Sequence, residues 1–371
     1  MAYDIVPYTP DLDAQIFVLQ THLWGSDSSR NAAYFRWKYA DNPYFDEVVV
    51  RLALCDGRVV GMRGMIGTAW QVEEPSMRHL LPCTEDSVVA PQHRQRQLAS
   101  QLLKALVADG ARRGFPFAIS LTAGPVTLIG SLAAGWRSPG SYQSAWRTRA
   151  APRLVERLRH RARRLPGYGR LAAALEARQT RRLFHCLDRA GGRSAGRVTL
   201  ARTARPQEMA ELVARLPWDG RIRHLRDAEY LAWRFGNPLH EYRFLFWDDG
   251  GLQGYLVLQR YLSERADRGC VNITDWEAAD ERIRSGLLET ALTWGRFARL
   301  HVWTVGVSDS IRTLLSDHGF AGGETAVRVQ SGGLLVCRLG EAPPDTPWTV
   351  GRRNLLNIAD WDLRMLYSMA G

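Results

Sequence analysis

The feature of this sequence that most limits its fold is a segment that occurs twice. Residues 34–43 read YFRWKYADNP, and residues 230–238 read YLAWRFGNP, with one residue deleted. Each copy is followed by two apolar runs around an Asp/Gly turn, which predicts a β-hairpin. A separation of about 195 residues is too long for a solenoid repeat and indicates a duplicated domain.

The predicted elements follow the same order in both halves. This order is a strand, two helices, three antiparallel strands, a helix, a strand, a helix and a final strand. We therefore expect an α/β (α+β) chain with two tandem domains, each a mixed, mainly antiparallel sheet flanked by helices. The domains are predicted at residues 1–150 and 197–345. A basic helical arm at 151–196 joins them, and a C-terminal tail at 346–371 follows.

The arm is the most basic part of a chain whose net charge is +11. Between Arg153 and Arg193 there are twelve arginines and three acidic residues, a net charge of +9. Such a segment is able to bind tRNA through its phosphates or to lie on an anionic membrane surface. The alternative is a solvated, arginine-biased helical hairpin packed on the two domains.

The cysteines indicate the compartment. Cys55, Cys83, Cys186, Cys270 and Cys337 are scattered and form no CxxC pair, so neither a disulfide framework nor a zinc site is predicted. The N-terminus lacks the pattern of a signal peptide, and no apolar run approaches the ~20 residues of a membrane helix. We expect a cytoplasmic protein that uses no metal.

One stretch carries a recognisable binding motif. Residues 84–103 read as a strand, a turn marked by Pro91, and the first turns of an amphipathic helix. Because the first N–H groups of a helix have no partner within it and the helix dipole is positive there, such a turn is suited to bind an anion.

This stretch resembles the acetyl-CoA signature of the GNAT N-acyltransferases, Val-x-Pro-x-x-Arg-x-x-Gly-x-Gly/Ala. Val89, Pro91, Arg94 and Ala99 match it, whereas Gln97 stands where the family usually has Gly. The resemblance implies acetyl-CoA or another acyl-CoA as cosubstrate. The residues expected to bind it are Val88, Val89, Arg94, Gln95, Arg96, Gln97, Leu98, Ala99 and Ser100. Gln97 either donates its backbone N–H to the phosphate or crowds it.

The strand before the turn holds the catalytic candidates. Regular alternation predicts Cys83, Glu85 and Ser87 on one face and the residues between them on the other. The resemblance implies a general base at Cys83 or Glu85, and we expect Glu85 to serve, with Asp86 as the second candidate. The alternative for Glu85 is a structural carboxylate. Cys83 is a weaker candidate, as a nucleophile or as a small buried strand residue.

Two further roles have no residue assigned by the motif, namely the proton donor to the leaving thiolate and the contacts to the substrate. Many GNAT members supply a tyrosine to protonate the leaving thiolate, and Ser131 stands at that position, so Tyr142 or a water would have to substitute. Trp37, Asp360 and Asp362 are candidate substrate contacts. The alternatives are a core anchor for Trp37 and a solvated tail for the two aspartates.

The second half lacks the signature, because residues 274–280, TDWEAAD, place acids where a phosphate would lie. It is predicted to be a degenerate copy that completes the substrate cleft. The predicted function is acyl transfer from acyl-CoA to a primary amine of a small molecule, an amino sugar or a peptide. The alternatives are a Fem-like transferase that uses aminoacyl-tRNA and a non-catalytic tandem GNAT module that binds a ligand or partner.

Overall fold

The computed structural model describes residues 2–149, 184–190, 197–262, 270–322, 333–341, 343 and 345–368, without side-chain detail at 122, 123, 125 and 126. Most of the predicted arm at 151–196, and with it the expected tRNA or membrane surface, lies outside the described residues. The helices of the described ranges include none with the length and apolarity needed to cross a membrane.

The first half contains eight strands and four helices among the described residues. The strands are β1 (Asp4–Pro7), β2 (Val49–Cys55), β3 (Arg58–Ile66), β4 (Ala69–Val72), β5 (Glu74–Leu80), β6 (Cys83–Val89), β7 (Phe117–Ala123) and β8 (Ser144–Thr148). The helices are α1 (Asp13–Gln20), α2 (Ser28–Phe35) with a π-helical extension (Arg36–Ala40), α3 (Leu98–Arg112) and α4 (Pro125–Ala133).

The second half has a similar but not identical order of elements. Its helices are α5 (His185–Ala190), α6 (Pro206–Arg215), α7 (Ala228–Arg234), α8 (Glu281–Trp294) and α9 (Asp309–Asp317). Its strands are β9 (Val198–Ala201), β10 (Ile222–His224), β11 (His240–Asp248), β12 (Leu252–Tyr261), β13 (Cys270–Ala278), β14 (Arg299–Trp303), β15 (Ala321–Gly322), β16 (Gly333–Arg338), β17 (Thr349–Val350), β18 (Arg353–Asn354) and β19 (Trp361–Asp362).

The two main sheets each contain a strand from the other half of the chain. One sheet has the order β1-β2-β3-β6-β7-β16 and the other β15-β8-β14-β13-β12-β11-β9. β16 pairs antiparallel with β7, and β8 pairs antiparallel with β14. A third sheet, β19-β10-β4-β5, also joins the halves. The mixed, mainly antiparallel sheets agree with the predicted fold class, but they are not divided along the predicted boundaries, which stay predictions.

The structure differs from the predicted order in two places. The run of three antiparallel strands in the first half is interrupted, because β4 and β5 leave the main sheet and pair with each other, and β4 also pairs with β10. The helix after the turn at Pro91 begins only at Leu98, because Gln95 and Gln97 have positive φ angles of 63° and 60° that no right-handed helix accepts.

The C-terminal tail predicted at 346–371 is packed into the core over its described part. Leu355, Trp361, Leu363 and Leu366 are buried, and β19 pairs in parallel with β10. The alternative of a solvated tail, given for Asp360 and Asp362, is therefore wrong for Asp362, which is itself buried beside these apolar residues.

The repeated segment lies where the halves meet. Trp37 stacks on Trp233 with ring centroids 4.8 Å apart and an angle of 12° between the planes. Each indole Nε1–H donates to the backbone carbonyl of the other tryptophan, at 2.6 and 2.7 Å. The two residues thus form a nearly symmetric contact that joins the two copies.

We expect Trp37→Ala to lower the free energy of unfolding by about 3–5 kcal/mol, because it leaves a cavity and removes the stacking partner of Trp233. Denaturant titration measures this change. Val18→Ala, which changes an exposed side chain of α1, is the control and should change stability by less than ~0.5 kcal/mol. Equal effects of the two substitutions would contradict a structural role for the stack.

Candidate active site

The candidate site lies where β6 and β7 separate. Among the described residues, their parallel pairing is confined to Cys83 opposite Ile119. A cavity of about 190 Å³ opens beside this pair. Its lining residues are Leu23, Trp24, Arg63, Thr84, Glu85, Asp86, Ser87, Ser120, Gly124 and Thr127.

A β-bulge in β6 sets the direction of its acidic side chains. Glu85 pairs with Gly64 and Val88 with Met62, so that Asp86 and Ser87 together face the single residue Arg63. Asp86 has a φ of 50°, in the left-handed region that aspartate tolerates better than most residues. The predicted placement of Glu85 and Asp86 on opposite faces is wrong, because the bulge interrupts the alternation.

The two acids meet at one buried lysine. Lys38 Nζ lies 2.8 Å from Asp86 Oδ1, 3.3 Å from Glu85 Oε2 and 3.0 Å from the Tyr34 hydroxyl. The Tyr39 hydroxyl donates to Asp86 Oδ2 at 2.9 Å. Burial alone would lower the pKa of Lys38, but the charges of Asp86 and Glu85 outweigh it and raise the pKa above its usual value.

Lys38 was not among the predicted site residues, although two features of the sequence indicate it. It is one of two lysines among 49 basic residues, and it lies inside the repeated segment, opposite Arg234 of the second copy. A cation at the same position in both copies of an otherwise largely apolar segment indicates a buried charge with polar partners.

Burial raises the pKa of Glu85. The charge of Lys38 opposes this rise, and the charge of Asp86 adds to it. A carboxylate with raised proton affinity is better matched to accept a proton near neutral pH than a free glutamate. The Cys83 thiol donates to Glu85 Oε1 at 3.4 Å, and burial raises the pKa of Cys83 well above its usual value. This shift disfavours the thiolate that a nucleophilic role would require.

The turn after β6 leads into α3. The N-cap residue of α3 makes no side-chain hydrogen bond to the free N–H groups of the helix N-terminus. Pro91–His93 form a 3₁₀ turn, and α3 begins after Gln97, whose side chain makes no capping hydrogen bond. Arg94 donates to the Val89 carbonyl and Arg96 to the Tyr3 hydroxyl, and both arginines are exposed. Backbone N–H groups at the start of α3 and two cations therefore lie together at the surface.

Gln97 has the backbone conformation that favours glycine. Its φ of 60° places it in the left-handed region, and its side chain is exposed. Gln97 therefore replaces the usual glycine of the signature, but its backbone has a left-handed conformation that a glycine adopts easily.

The other candidates have partners elsewhere. Trp37 is buried in the stack with Trp233. Asp360 forms an ion pair with Arg353, and Asp362 forms one with Arg364.

The Tyr142 hydroxyl donates to the Leu121 carbonyl at 3.0 Å, and burial raises the pKa of Tyr142, with the charges of Cys83 and Glu85 adding to the rise. Ser131 is buried.

The second half has a similar charge cluster in a different electrostatic state. Arg226 Nη1 donates to Asp275 Oδ1 at 2.9 Å and to Glu277 Oε1 at 2.7 Å. Burial would raise the pKa of Glu277, but Arg364, Arg226 and Arg284 lower it to about 2. The N-terminus of α8 is capped by the Asp280 side chain, which accepts from Ile283 N. An adjoining cavity of about 390 Å³ is lined by several of these arginines and by Asp362.

Comparison with known proteins agrees with this architecture. Residues 217–334 match the family model of the acetyltransferase (GNAT) domain. This match falls on the second copy, whereas the stretch that resembles the acetyl-CoA signature lies in the first. No curated protein matches the sequence.

Several solved structures share the fold. A GCN5-related N-acetyltransferase from Anabaena variabilis superposes with a TM-score of 0.57 at 13% identity, over 91% of this chain and 73% of that one. Another from Kribbella flavida gives 0.53 at 14%, over 91% and 72%. A tandem GNAT protein from the clavulanic acid biosynthesis pathway gives 0.50 at 12%, over 92% and 100%.

We expect Lys38→Met to lower the free energy of unfolding at neutral pH by about 3–5 kcal/mol, because it leaves two carboxylates buried without a counter-charge. The loss should shrink as the pH falls, because protonated carboxyl groups need no counter-charge. Denaturant titration at several pH values measures both effects.

The control for this substitution is Lys104→Met, which changes the only other lysine, exposed on α3. It should change stability by no more than ~0.5 kcal/mol at any pH. A loss for Lys38→Met that is small or independent of pH would show that the two carboxylates do not depend on this lysine.

Proposed function

The chain has the tandem GNAT fold, and from this premise we propose that it is an acyl-CoA-dependent N-acyltransferase whose first half carries out the reaction. The observation that carries the proposal is the adjacency of two features on one strand–turn–helix unit. An open, cationic helix N-terminus follows directly after a strand that presents a buried glutamate of raised pKa to a cavity.

The turn at residues 90–97 is proposed to hold the pyrophosphate of the cosubstrate. The first N–H groups of α3 have no acceptor within the helix and point toward the turn. Arg94 and Arg96 add positive charge there, and the left-handed backbone at Gln97 lets the chain approach the phosphate closely. The second copy is less suited to this role, because Asp280 already caps α8.

Glu85 is proposed as the general base. It would accept a proton from the ammonium of the acceptor, directly or through a water, so that the neutral amine attacks the thioester carbonyl carbon. The C–N bond then forms as the C–S bond breaks, the nitrogen loses its second proton, and the thiolate takes up one proton to leave as the free thiol. Lys38 and Asp86 position Glu85, and Lys38 moderates its pKa.

The group that protonates the thiolate is proposed to be solvent rather than Tyr142. The Tyr142 hydroxyl already donates a hydrogen bond to the Leu121 carbonyl, and the raised pKa of Tyr142 makes it a poor acid. Acetyl-CoA is the expected donor, and a primary amine on a small molecule, an amino sugar or a peptide is the expected acceptor.

We expect Glu85→Gln to lower kcat by ~100-fold or more while the dissociation constant of acetyl-CoA stays unchanged, because the base lies apart from the phosphate turn. In the wild type the rate should fall as the pH drops through the raised pKa of Glu85, and the variant should lack this limb of the profile. Initial rates across pH and calorimetric titration with acetyl-CoA measure the two quantities.

Glu74→Gln is the control, since Glu74 is exposed on β5 and outside the cavity. It should leave the rate and its pH profile unchanged. If Glu85→Gln turned over normally, Glu85 would be removed from the mechanism.

We expect Arg94→Ala to weaken acetyl-CoA binding by about tenfold, because a charge-assisted contact to phosphate is lost. Arg58→Ala, which removes an exposed arginine outside the turn, should leave the affinity unchanged. Calorimetric titration with acetyl-CoA measures the dissociation constants of the two variants and of the wild type. An absence of any CoA binding by the wild type would contradict the proposed function itself.

A further inference from the structure

Arg63 is a buried cation without a partner. It is only 3% exposed, yet its side chain makes no hydrogen bond or ion pair with any described residue, and its Nε atom is buried and unsatisfied. Every other buried Lys or Arg side chain of the described chain has at least one partner. Lys38 and Arg226 each bridge two carboxylates, Arg243 pairs with Asp188 and Glu241, Arg234 donates to the carbonyls of Leu366 and Ser368, and Arg223 donates to Gln71.

The environment of Arg63 keeps it charged but unpaired. Burial lowers its pKa to about 10, which still leaves the guanidinium protonated at neutral pH. Glu85 lies near enough to act on that pKa, but its oxygens are engaged by Lys38 and Cys83. An isolated buried guanidinium is costly, and the cost is removed when an anion binds to it.

A second unsatisfied group lies in the same cavity. The Thr84 hydroxyl is buried and makes no hydrogen bond to a described residue. Arg63 and Thr84 both line the cavity of about 190 Å³ beside Glu85. Arg63 on β3 and Thr84 on β6, two adjacent strands, thus place two unsatisfied donors in the wall of one small space next to the candidate base.

From this juxtaposition we propose that the cavity binds a carboxylate carried by one of the two reactants. The planar guanidinium of Arg63 matches a carboxylate in geometry, and the Thr84 hydroxyl donates to the same group. The cavity, of about 190 Å³, has room for a carboxylate group beside Glu85. This inference rests on the proposed acyl transfer and narrows its substrate.

The carboxylate has two possible sources. It belongs either to the acceptor, which would then be an α-amino acid or a related amino acid, or to the acyl group, which would then be a short dicarboxylic chain. Both sources use the same chemistry at Arg63, and a comparison of matched substrates distinguishes them.

The first experiment tests the acceptor and compares phenylalanine with phenethylamine, and lysine with cadaverine, using acetyl-CoA as donor. The second experiment tests the donor and compares succinyl-CoA with butyryl-CoA, using phenethylamine and cadaverine as acceptors. In one of the two experiments the carboxylated compound should have a kcat/KM about 10- to 100-fold higher than its matched partner. In Arg63→Met that ratio should fall to near one, and Arg63→Lys should retain part of it.

Thermal melting provides a readout that does not need turnover. Without ligand, Arg63→Met should melt at the same temperature as the wild type or higher, because it removes an unsatisfied buried charge. Arg234→Met, which changes a buried arginine with several partners, should melt lower. With CoA present, phenylalanine or succinate should raise the melting temperature of the wild type more than phenethylamine or butanol does, and this difference should vanish in Arg63→Met.

The outcomes separate the two proposals. Turnover of the matched pairs at equal rates, with no difference in melting, would overturn the carboxylate site but leave the acyltransferase intact. No turnover with any pair, together with a carboxylate-dependent rise in melting temperature, would overturn the acyltransferase and leave the carboxylate site. A large fall in the melting temperature of ligand-free Arg63→Met would show that the guanidinium is structural and would overturn the inference.

Discussion

The buried charge cluster of Lys38, Glu85 and Asp86 is the interaction on which the first half depends. Burial of three charges is favourable only when each has close partners of opposite sign and the remaining donors are satisfied. The bulge in β6 achieves this by turning two consecutive acids toward one ammonium. The π-helical extension of α2 carries the ammonium and the stacked Trp37 on neighbouring residues. The candidate base and the contact between the halves are thus held by one short segment.

Much of this arrangement follows from the sequence, and the rest depends on partner strands. The duplication, the order of elements and the strand–turn–helix unit are local or repeated patterns, so a sequence contains them directly. The bulge is not local, because it exists only relative to the register of β3. For that reason the sequence was sufficient to choose Glu85 as a candidate base. It was not sufficient to predict that the Glu85 and Asp86 side chains both reach Lys38. The packing of residues 349–363 between the halves depends likewise on β10 and on a core that sequence periodicity does not reveal.

The two copies differ in the charges around their buried carboxylates. In the first, one lysine is shared by two acids, and Glu85 keeps a raised proton affinity. In the second, three arginines surround Glu277 and hold it ionised, with a pKa of about 2. The first arrangement suits a group that must gain and lose a proton, whereas the second suits a permanent anion with a structural role. The similarity of strand and helix positions conceals this difference, which lies in the number of cations around one carboxylate.

The exchange of strands between the sheets has a consequence for synthesis on the ribosome. β7 ends at Ala123, and the strand that covers its edge, β16, begins at Gly333. At ~5–20 residues per second, translation of the intervening ~200 residues takes roughly 10–40 s, during which the first sheet has an uncovered edge. Open edges of this kind can pair with other chains. The first sheet is therefore complete only after most of the second half has been translated.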